Sequence, residues 1–366
     1  MTTQHAWPPR VTIPLAGFNL SGGVKSLCHL ANYLSEHGWD VTMIVPDYAC
    51  EPPIKLGPRV LVQVTWTGPR LLPASVRKAR HLIRLCQLAT RDADVCLANY
   101  FTTAYAAWIS RWLLSNRCVL AYNVRGYEPE SHGRLANAGD LSRRVRSLAA
   151  LWSYRLPLKK LCTTEWLRDQ VGDPNAIVVG HGIDLDIFSP TNRDPNRSPV
   201  TIGTIGRAGE AKGYPDFIAA VRLLDPATHV RFLIAAPDPV EPVPDFPAEI
   251  RHPRTEPEMA AFYRDCDVFV FSSRGEGFGL PALEAMATGS AVITTDSGGV
   301  RAFAEPDQNC LITPIANASA LATAITELAA NPTLRAHLDK AGITTATHHS
   351  RQAAHERFAA ALASLL

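Results

Sequence analysis

Apolar residues fall into short continuous runs separated by longer stretches in which they recur every three or four positions. The run at 11–16 reads as a strand, and the turn Ser21-Gly22-Gly23 follows it. Leu27, Leu30, Ala31 and Leu34 then recur at helical spacing up to Gly38, a residue type that ends helices. A second apolar run at 41–45 completes a strand–helix–strand unit, which joins parallel strands. The alternation predicts further strands at 60–64, 94–98, 118–122 and 177–179, helices near 74–90 and 102–114, and a short strand–helix pair within 158–172. Residues 130–150 are polar and Arg-rich without a clear period, and they read as a mobile stretch.

The pattern stops at Ser189–Pro199, which holds three prolines and almost no apolar residue. Such a segment marks a linker. Beyond it the alternation restarts with strands at 201–206, 231–235, 268–272 and 291–295. Helices are expected near 214–224, 257–265, 281–287, 317–330 and 332–347, with an amphipathic helix at the end of the chain and a Pro-rich loop at 237–247. The expected fold class is α/β: two Rossmann-like domains with parallel sheets facing across a cleft. In such sheets ligands bind beyond the C-terminal ends of strands, so chemistry is expected just after them.

Composition narrows the function. The chain has 366 residues, 46% hydrophobic and 19% charged, a globular balance that excludes a disordered chain or a coiled coil. The net charge of +2 gives no case for nucleic-acid binding. It hides an asymmetry, +7 over residues 1–190 and −5 over 191–366, which suggests that two domains face different partners. The segments 77–85 and 141–155 mix Arg with apolar residues and suit an anionic lipid surface if they are exposed together.

The start, MTTQHAWPPR, lacks a signal-peptide pattern, and no run reaches 18 apolar residues. A cytoplasmic protein is expected, with any membrane association peripheral, on the inner face. The eight cysteines show no CxxC and no metal spacing and read as reduced, buried small hydrophobes. Trp39, Trp108 and Trp112 are expected to pack in cores. His348, His349 and His355 have poor metal spacing, and no metal site is expected.

Three stretches carry chemistry. The richest is 272–289, SSRGEGFGLPALEAMATG, where a strand runs into a glycine-rich loop and Pro281 opens a helix. Gly277 and Gly279 leave backbone N–H groups bare, which makes an anion or polyol site at the helix start. Glu276 in the loop and Glu284 on the helix suit the hydroxyls of a hexose and a ribose. The second is TIGTIGRAGEAKG, 201–213, in which Arg207 and Lys212 follow a glycine-ended strand and suit a diphosphate. It is neither GxGxxG nor a P-loop, so ATP hydrolysis has no anchor. The third is the Gly22-Gly23 pair, where backbone can approach a phosphate or sugar closely.

Taken together these residues resemble the retaining GT-B glycosyltransferases of family 4. The resemblance rests on SGG at 21–23, GR at 206–207, KG at 212–213, EGFGLPALEAMATG at 276–289, TTDSGG at 294–299 and HGIDLDIF at 181–188, with His181 where Asn is usual. Glu276 and Glu284 match the two acids of the family's E-x7-E motif. The segment VLAYNVRGYEPE, 119–130, is similar to a rhamnosyltransferase-like branch at Tyr122, Val124, Tyr127, Glu128 and Pro129, and departs from it at Arg125 and Gly126. DQNC at 307–310 departs from the family's D-G-x-N-G turn.

The resemblance implies an N-terminal acceptor-binding domain at 1–188, a linker at 189–199, a nucleotide-sugar-binding domain at 200–347 and a terminal helix, 348–366, packing on the first domain. It implies metal-independent transfer of a hexose or deoxyhexose, with retention, from a dTDP-, GDP- or UDP-linked donor to a glycan, lipid-linked saccharide or small glycoside. No cofactor is implied. Glu276, Arg207 and Lys212 are the expected catalytic residues. Gly22, Gly23, Gly277, Phe278, Gly279, Leu280 and Glu284 are expected to join those three around the donor. Arg125, Tyr127 and Glu128 are expected to contact acceptor or donor. The alternatives are a nucleotide-sugar 2-epimerase, which would need no acceptor, and an inactive nucleotide-sugar-binding subunit.

Overall fold

A computed structural model describes residues 8–19, 21–129, 141–192, 194, 197–207, 210–237 and 239–366. The chain divides into two compact units, residues 1–180 with 355–366, and residues 181–354.

The first unit holds a seven-stranded parallel sheet of order β3-β2-β1-β4-β5-β6-β7. Its strands are β1 (Arg10–Pro14), β2 (Asp40–Pro46), β3 (Val60–Thr65), β4 (Val95–Ala98), β5 (Val119–Val124), β6 (Lys159–Cys162) and β7 (Ile177–Val178). Alternate side chains feed two cores, as a pleated sheet buried on both faces requires. On one face Val11, Ile13, Val95 and Leu97 pack with helix α1 (Gly22–Glu36) through Leu27, Leu30 and Leu34. On the other, Cys96, Ala98, Leu120 and Tyr122 pack with Ala104 and Ala107 of α3 (Phe101–Leu114). Ile44 on that side meets Leu85 of α2 (Ala74–Leu88) and Ala106 of α3.

The stretch expected to be mobile is corrected in part. Residues 141–153 form helix α4 (Leu141–Ser153), while 130–140 lie outside the described residues. The helical recurrence of Leu141, Val145, Leu148 and Trp152 is masked in the sequence by the arginines between them. Helix α5 (Glu165–Val171) is capped by the Thr164 side chain and ended by Gly172, as capping chemistry prescribes.

The second unit repeats the plan with a six-stranded parallel sheet of order β10-β9-β8-β11-β12-β13. Its strands are β8 (Val200–Ile205), β9 (Val230–Ala235), β10 (Ala248–Arg251), β11 (Val268–Phe271), β12 (Ala291–Thr295) and β13 (Leu311–Thr313). Between and after them lie helices α6 (Tyr214–Val221), α7 (Glu256–Arg264), α8 (Leu280–Ala287), α9 (Ala318–Ala330) and α10 (Pro332–Thr347). In this order the direction of winding reverses between β8 and β11, and ligands bind at such switch points.

The division between units differs from the expected linker. Ile183 and Phe188 are buried in the core of the second unit with Phe278 and Met286, so the HGIDLDIF stretch belongs there. The backbone of Ile183 is bonded on both sides, to His349 and to Arg351. The described residues of segment 189–199 are mostly exposed, and its two ends are tied to the second unit. Arg264 anchors its start on the Ser189 carbonyl at 2.9 Å, and Arg197 anchors its end on Asp267 at 2.9 Å. Helix α11 (Arg351–Ala363) begins in the second unit and ends in the first, where Phe358, Ala361 and Leu362 join the core around α1.

Six of the eight cysteines are buried and Cys50 and Cys86 are half-buried. Burial pushes the Cys28 thiol up to about 12. Trp39 is buried as expected, but Trp108 and Trp112 are corrected: both are exposed on α3.

Candidate active site

The second unit brings the two chemistry-bearing loops of the sequence together at its switch point. Strand β8 ends at Ile205 and runs into Gly206 and Arg207, and a short 3-10 turn, Glu210–Lys212, follows. Strand β11 ends at Phe271 and runs into 272–279. The loops are strapped by backbone. The Arg274 N–H donates to the Ala211 carbonyl at 3.0 Å, and the Ser272 hydroxyl donates to the Gly213 carbonyl at 2.8 Å. Gly213 has φ +71°, and a Cβ there would lie 1.7 Å from the Ser272 carbonyl oxygen; only glycine lets the loops approach so closely. Arg274 grips Asp216 with two bonds of 2.6 and 2.7 Å, a bidentate fork that fixes the loop to α6.

This strapping sets Lys212 beside Glu276. Nζ donates to Oε1 at 2.8 Å, and the Ser273 hydroxyl donates to the same oxygen at 2.7 Å. The Glu276 side chain is 17% exposed, against 41% for Lys212. The carboxylate is therefore held at the base of the site with its cation at the rim. An ammonium has three donors, and Glu276 takes one, leaving Lys212 able to hold phosphate oxygens as well. The backbone of Glu276 is pinned in turn: its N–H donates to Ser297, and Gly299 donates to its carbonyl.

Glu284 sits on α8, half-buried, and Oε2 accepts from the Tyr263 hydroxyl at 2.9 Å. Burial, and then the Glu284 charge, raise the Tyr263 hydroxyl well above its ordinary range, so it stays a donor. Arg207 is exposed and close enough to Tyr263 to oppose that rise electrostatically. Glu276 is thus paired with Lys212 directly, whereas Glu284 is held by the Tyr263 hydroxyl, on which Arg207 acts electrostatically.

Helix α8 starts at Leu280 behind Gly279, which has φ +96°. Gly277 is pressed against Gly299, where a Cβ would lie 2.3 Å from the Gly277 carbonyl carbon. Phe278 turns its ring into the core, 5.5 Å from the Phe303 ring and 5.7 Å from that of His181. Within the loop it therefore offers a ligand its backbone. Leu280 is half-buried at the first turn.

Sequence reasoning missed Ser273, Tyr263 and Ser297. Ser297 is buried, and among the described residues its Oγ has no hydrogen-bond partner. TTDSGG gave a signal for Ser297, next to the glycine pair. Nothing in the sequence marks Tyr263, which reaches Glu284 from another helix.

In the first unit Gly22 and Gly23 open α1 behind the cap Ser21. Arg125, just beyond β5, donates through Nη1 to the Gly23 carbonyl, and among the described residues its Nε has no hydrogen-bond partner. Burial brings the guanidinium down to about 10, leaving it charged at neutral pH. Glu128 is buried, accepting from the Tyr122 hydroxyl at 2.7 Å and the Phe101 N–H at 2.8 Å, where it anchors the start of α3. Burial pushes its carboxyl up to about 7. Tyr127 stacks near Tyr154, ring centroids 6.1 Å apart. Tyr122, Val124 and Glu128, which carry the likeness to the rhamnosyltransferase-like branch, are thus buried packing residues. Among the described residues no three His, Cys, Asp or Glu are grouped to hold a metal ion.

Comparison with known proteins matches both units. Residues 21–178 match the family described as Glycosyl transferase 4-like domain, and residues 199–331 the family Glycosyl transferases group 1. The chain is 25% identical over 358 residues to the D-inositol 3-phosphate glycosyltransferase of Streptomyces bingchenggensis (strain BCW-1), covering 86% of this chain and 77% of that one. It is 28% identical over 183 residues to the lipopolysaccharide core biosynthesis mannosyltransferase LpcC of Rhizobium leguminosarum bv. viciae, covering 43% of this chain and 50% of that one. Among solved structures, sucrose-phosphate synthase from Thermosynechococcus elongatus superposes with a TM-score of 0.80 at 18% identity, over 98% of this chain and 99% of that one. Two parallel-sheet units of this strand order, and a glycosyltransferase family matched in each, mean that the chain belongs to the GT-B glycosyltransferases of family 4.

Proposed function

We propose that the protein is a metal-independent, retaining glycosyltransferase. It moves a hexose or deoxyhexose from a nucleotide-diphosphate sugar to a hydroxyl of a glycan, lipid-linked saccharide or small glycoside. The observation that carries this reading is the Lys212–Glu276 pair, 2.8 Å apart at the mouth of the second sheet. It sets a cation for a leaving diphosphate next to a carboxylate for sugar hydroxyls.

When the bond from the anomeric carbon to the diphosphate breaks, negative charge grows on the phosphate oxygens. Lys212 and Arg207 stabilise that charge more in the transition state than in the bound donor. Glu276, braced by Ser273, orients the sugar. Glu284, oriented by Tyr263, takes the ribose. The departing phosphate accepts the proton of the acceptor hydroxyl on the same face, which preserves the anomeric configuration without a covalent sugar–enzyme intermediate. The acceptor is assigned to the first unit, around Arg125. The similarity to transferases whose names specify an inositol phosphate and a lipopolysaccharide core favours a polyhydroxylated acceptor.

Calorimetry with free UDP, GDP and dTDP, joined to a donor panel scored by nucleotide release, tests the reading. One nucleotide is expected to bind wild type and Glu276→Gln alike. Glu284→Gln should weaken its binding by about tenfold, the loss of one charged hydrogen bond, while Glu276→Gln should chiefly lower kcat. Binding of none of the three nucleotides would overturn the reading, and unchanged affinity in Glu284→Gln would overturn the ribose contact. Activity should also persist in excess EDTA, because Lys212 and Arg207 supply the positive charge. Complete loss with EDTA, restored by Mn²⁺ or Mg²⁺, would overturn metal independence.

A further inference from the structure

Three helices of the first unit, α2, α3 and α4, cover one face of its sheet. They lie side by side: Leu85 of α2 packs with Ala106 of α3, and the Tyr105 hydroxyl of α3 donates to the Ala149 carbonyl of α4 at 3.0 Å. Their outward sides are unusual for helices bordering water. In α4 the stripe turned outward is Leu141, Val145, Leu148 and Trp152, while Ala150 and Ser153 are buried. An amphipathic helix of a globular domain normally turns such a stripe inward. Leu141 is 73% exposed and Trp152 56%. On α3, Trp108, Arg111 and Trp112 share an outward face, with Trp112 75% exposed. On α2, Ile83 is 58% exposed beside the exposed Arg84.

The charge on these helices has one sign. Together they carry eight Lys and Arg and no Asp or Glu. Arg77 is spent inside the unit, paired with Asp47 at 3.1 Å, whereas Lys78, Arg84, Arg111 and Arg144 are exposed among the apolar residues. Just past α4, Arg155 lies 4.5 Å over the Trp152 ring, which holds a cation and an indole at the same level. Indoles and leucines interleaved with cations, and no carboxylate, complement a medium that is anionic at its surface and apolar just beneath. No helix of the described residues is long and apolar enough to cross a membrane.

We propose that the outer face of α2, α3 and α4 docks on a bilayer surface rich in anionic lipid. Trp112, Trp152 and the leucines of α4 enter the headgroup boundary, and the cations lie over the phosphates. The inference is independent of the transfer chemistry, because none of these residues belongs to the proposed site.

Flotation of the full chain with vesicles tests it, using phosphatidylcholine alone and phosphatidylcholine mixed with phosphatidylglycerol. Binding is expected to the mixed vesicles and to weaken as salt is raised. Each near-surface cation strengthens such binding by about fivefold. The triple variant Lys78→Gln, Arg84→Gln, Arg144→Gln should therefore bind about a hundredfold more weakly. Trp112→Ser with Trp152→Ser should remove the binding that survives high salt. Circular dichroism and thermal melting matching wild type would show that both variants are folded. Equal binding to the two vesicle types, or binding to neither, would overturn the proposal. So would a concentration-dependent dimer that the tryptophan variant abolishes in the absence of vesicle binding, since the face would then pair with a second copy.

Discussion

Lys212→Ala is expected to lower kcat/KM by about 10²–10³-fold, which corresponds to about 3–4 kcal/mol of transition-state stabilisation. Two losses act in the same direction. The cation that meets charge growing on the leaving diphosphate is gone, and Glu276 keeps only Ser273 of the two donors to its Oε1. A mostly buried carboxylate without its cation then faces a departing dianion, so the deficit should appear in kcat as well as in donor binding. The fold should survive. Lys212 stands at the rim, and the 3-10 turn that carries it is held by the Arg274-to-Ala211 backbone bond rather than by its side chain. Turnover within about threefold of wild type, with an unchanged circular dichroism spectrum, would remove Lys212 from the machinery.

Gly213→Ala is expected to destabilise the second unit by more than about 4 kcal/mol, in the range reserved for backbone clashes and strain. The added Cβ would lie 1.7 Å from the Ser272 oxygen and 2.5 Å from its carbonyl carbon. Both are backbone atoms, so neither can swing aside, and φ of +71° adds the left-handed penalty. The clash is relieved only by parting the two loops, which withdraws Lys212 from Glu276 as well. A melting transition lower by about 10 °C, for a unit of this size, and loss of turnover are both expected. Gly22→Ala is the contrast, because a Cβ there meets nothing within 4 Å and should leave the melting point alone. A Gly213→Ala protein melting within about 1 °C of wild type would show that the loops are not strapped this way.

The parts of this fold that were readable from sequence are those fixed by local periodicity. The strands at the middle of each sheet are buried on both faces and stand out as apolar runs. The helices carry one apolar stripe, and the glycine-rich turns mark where strands end. β10 and β13 escaped because the first is a four-residue, largely exposed edge strand, AEIR, and the second has three residues. The boundary between units escaped because a Pro-rich, polar segment reports exposure. Which core Ile183 and Phe188 enter is a tertiary question.

The candidate site divides the same way. Glu276 and Glu284 were visible from their spacing around a glycine loop and a helix start, and Arg207 and Lys212 from their place after a strand. Their pairing was not visible. The Lys212–Glu276 bond spans 64 positions and depends on a strap through Gly213 and Ser272. Phe278 and Glu128 lie inside informative motifs, but the burial of their side chains is a tertiary fact those motifs do not carry.

The return of the last helix to the first unit sets an order on how this chain can mature. Phe358, Ala361 and Leu362 fill the core that α1 builds with Leu27, Leu30 and Leu34. A ribosome delivers those three residues only after the whole second unit has been synthesised. The nascent N-terminal half therefore waits with part of its apolar face uncovered, and the second unit, free of that debt, is the first able to complete its own core. Cutting the polypeptide at the junction after Gly180 would make that waiting state permanent.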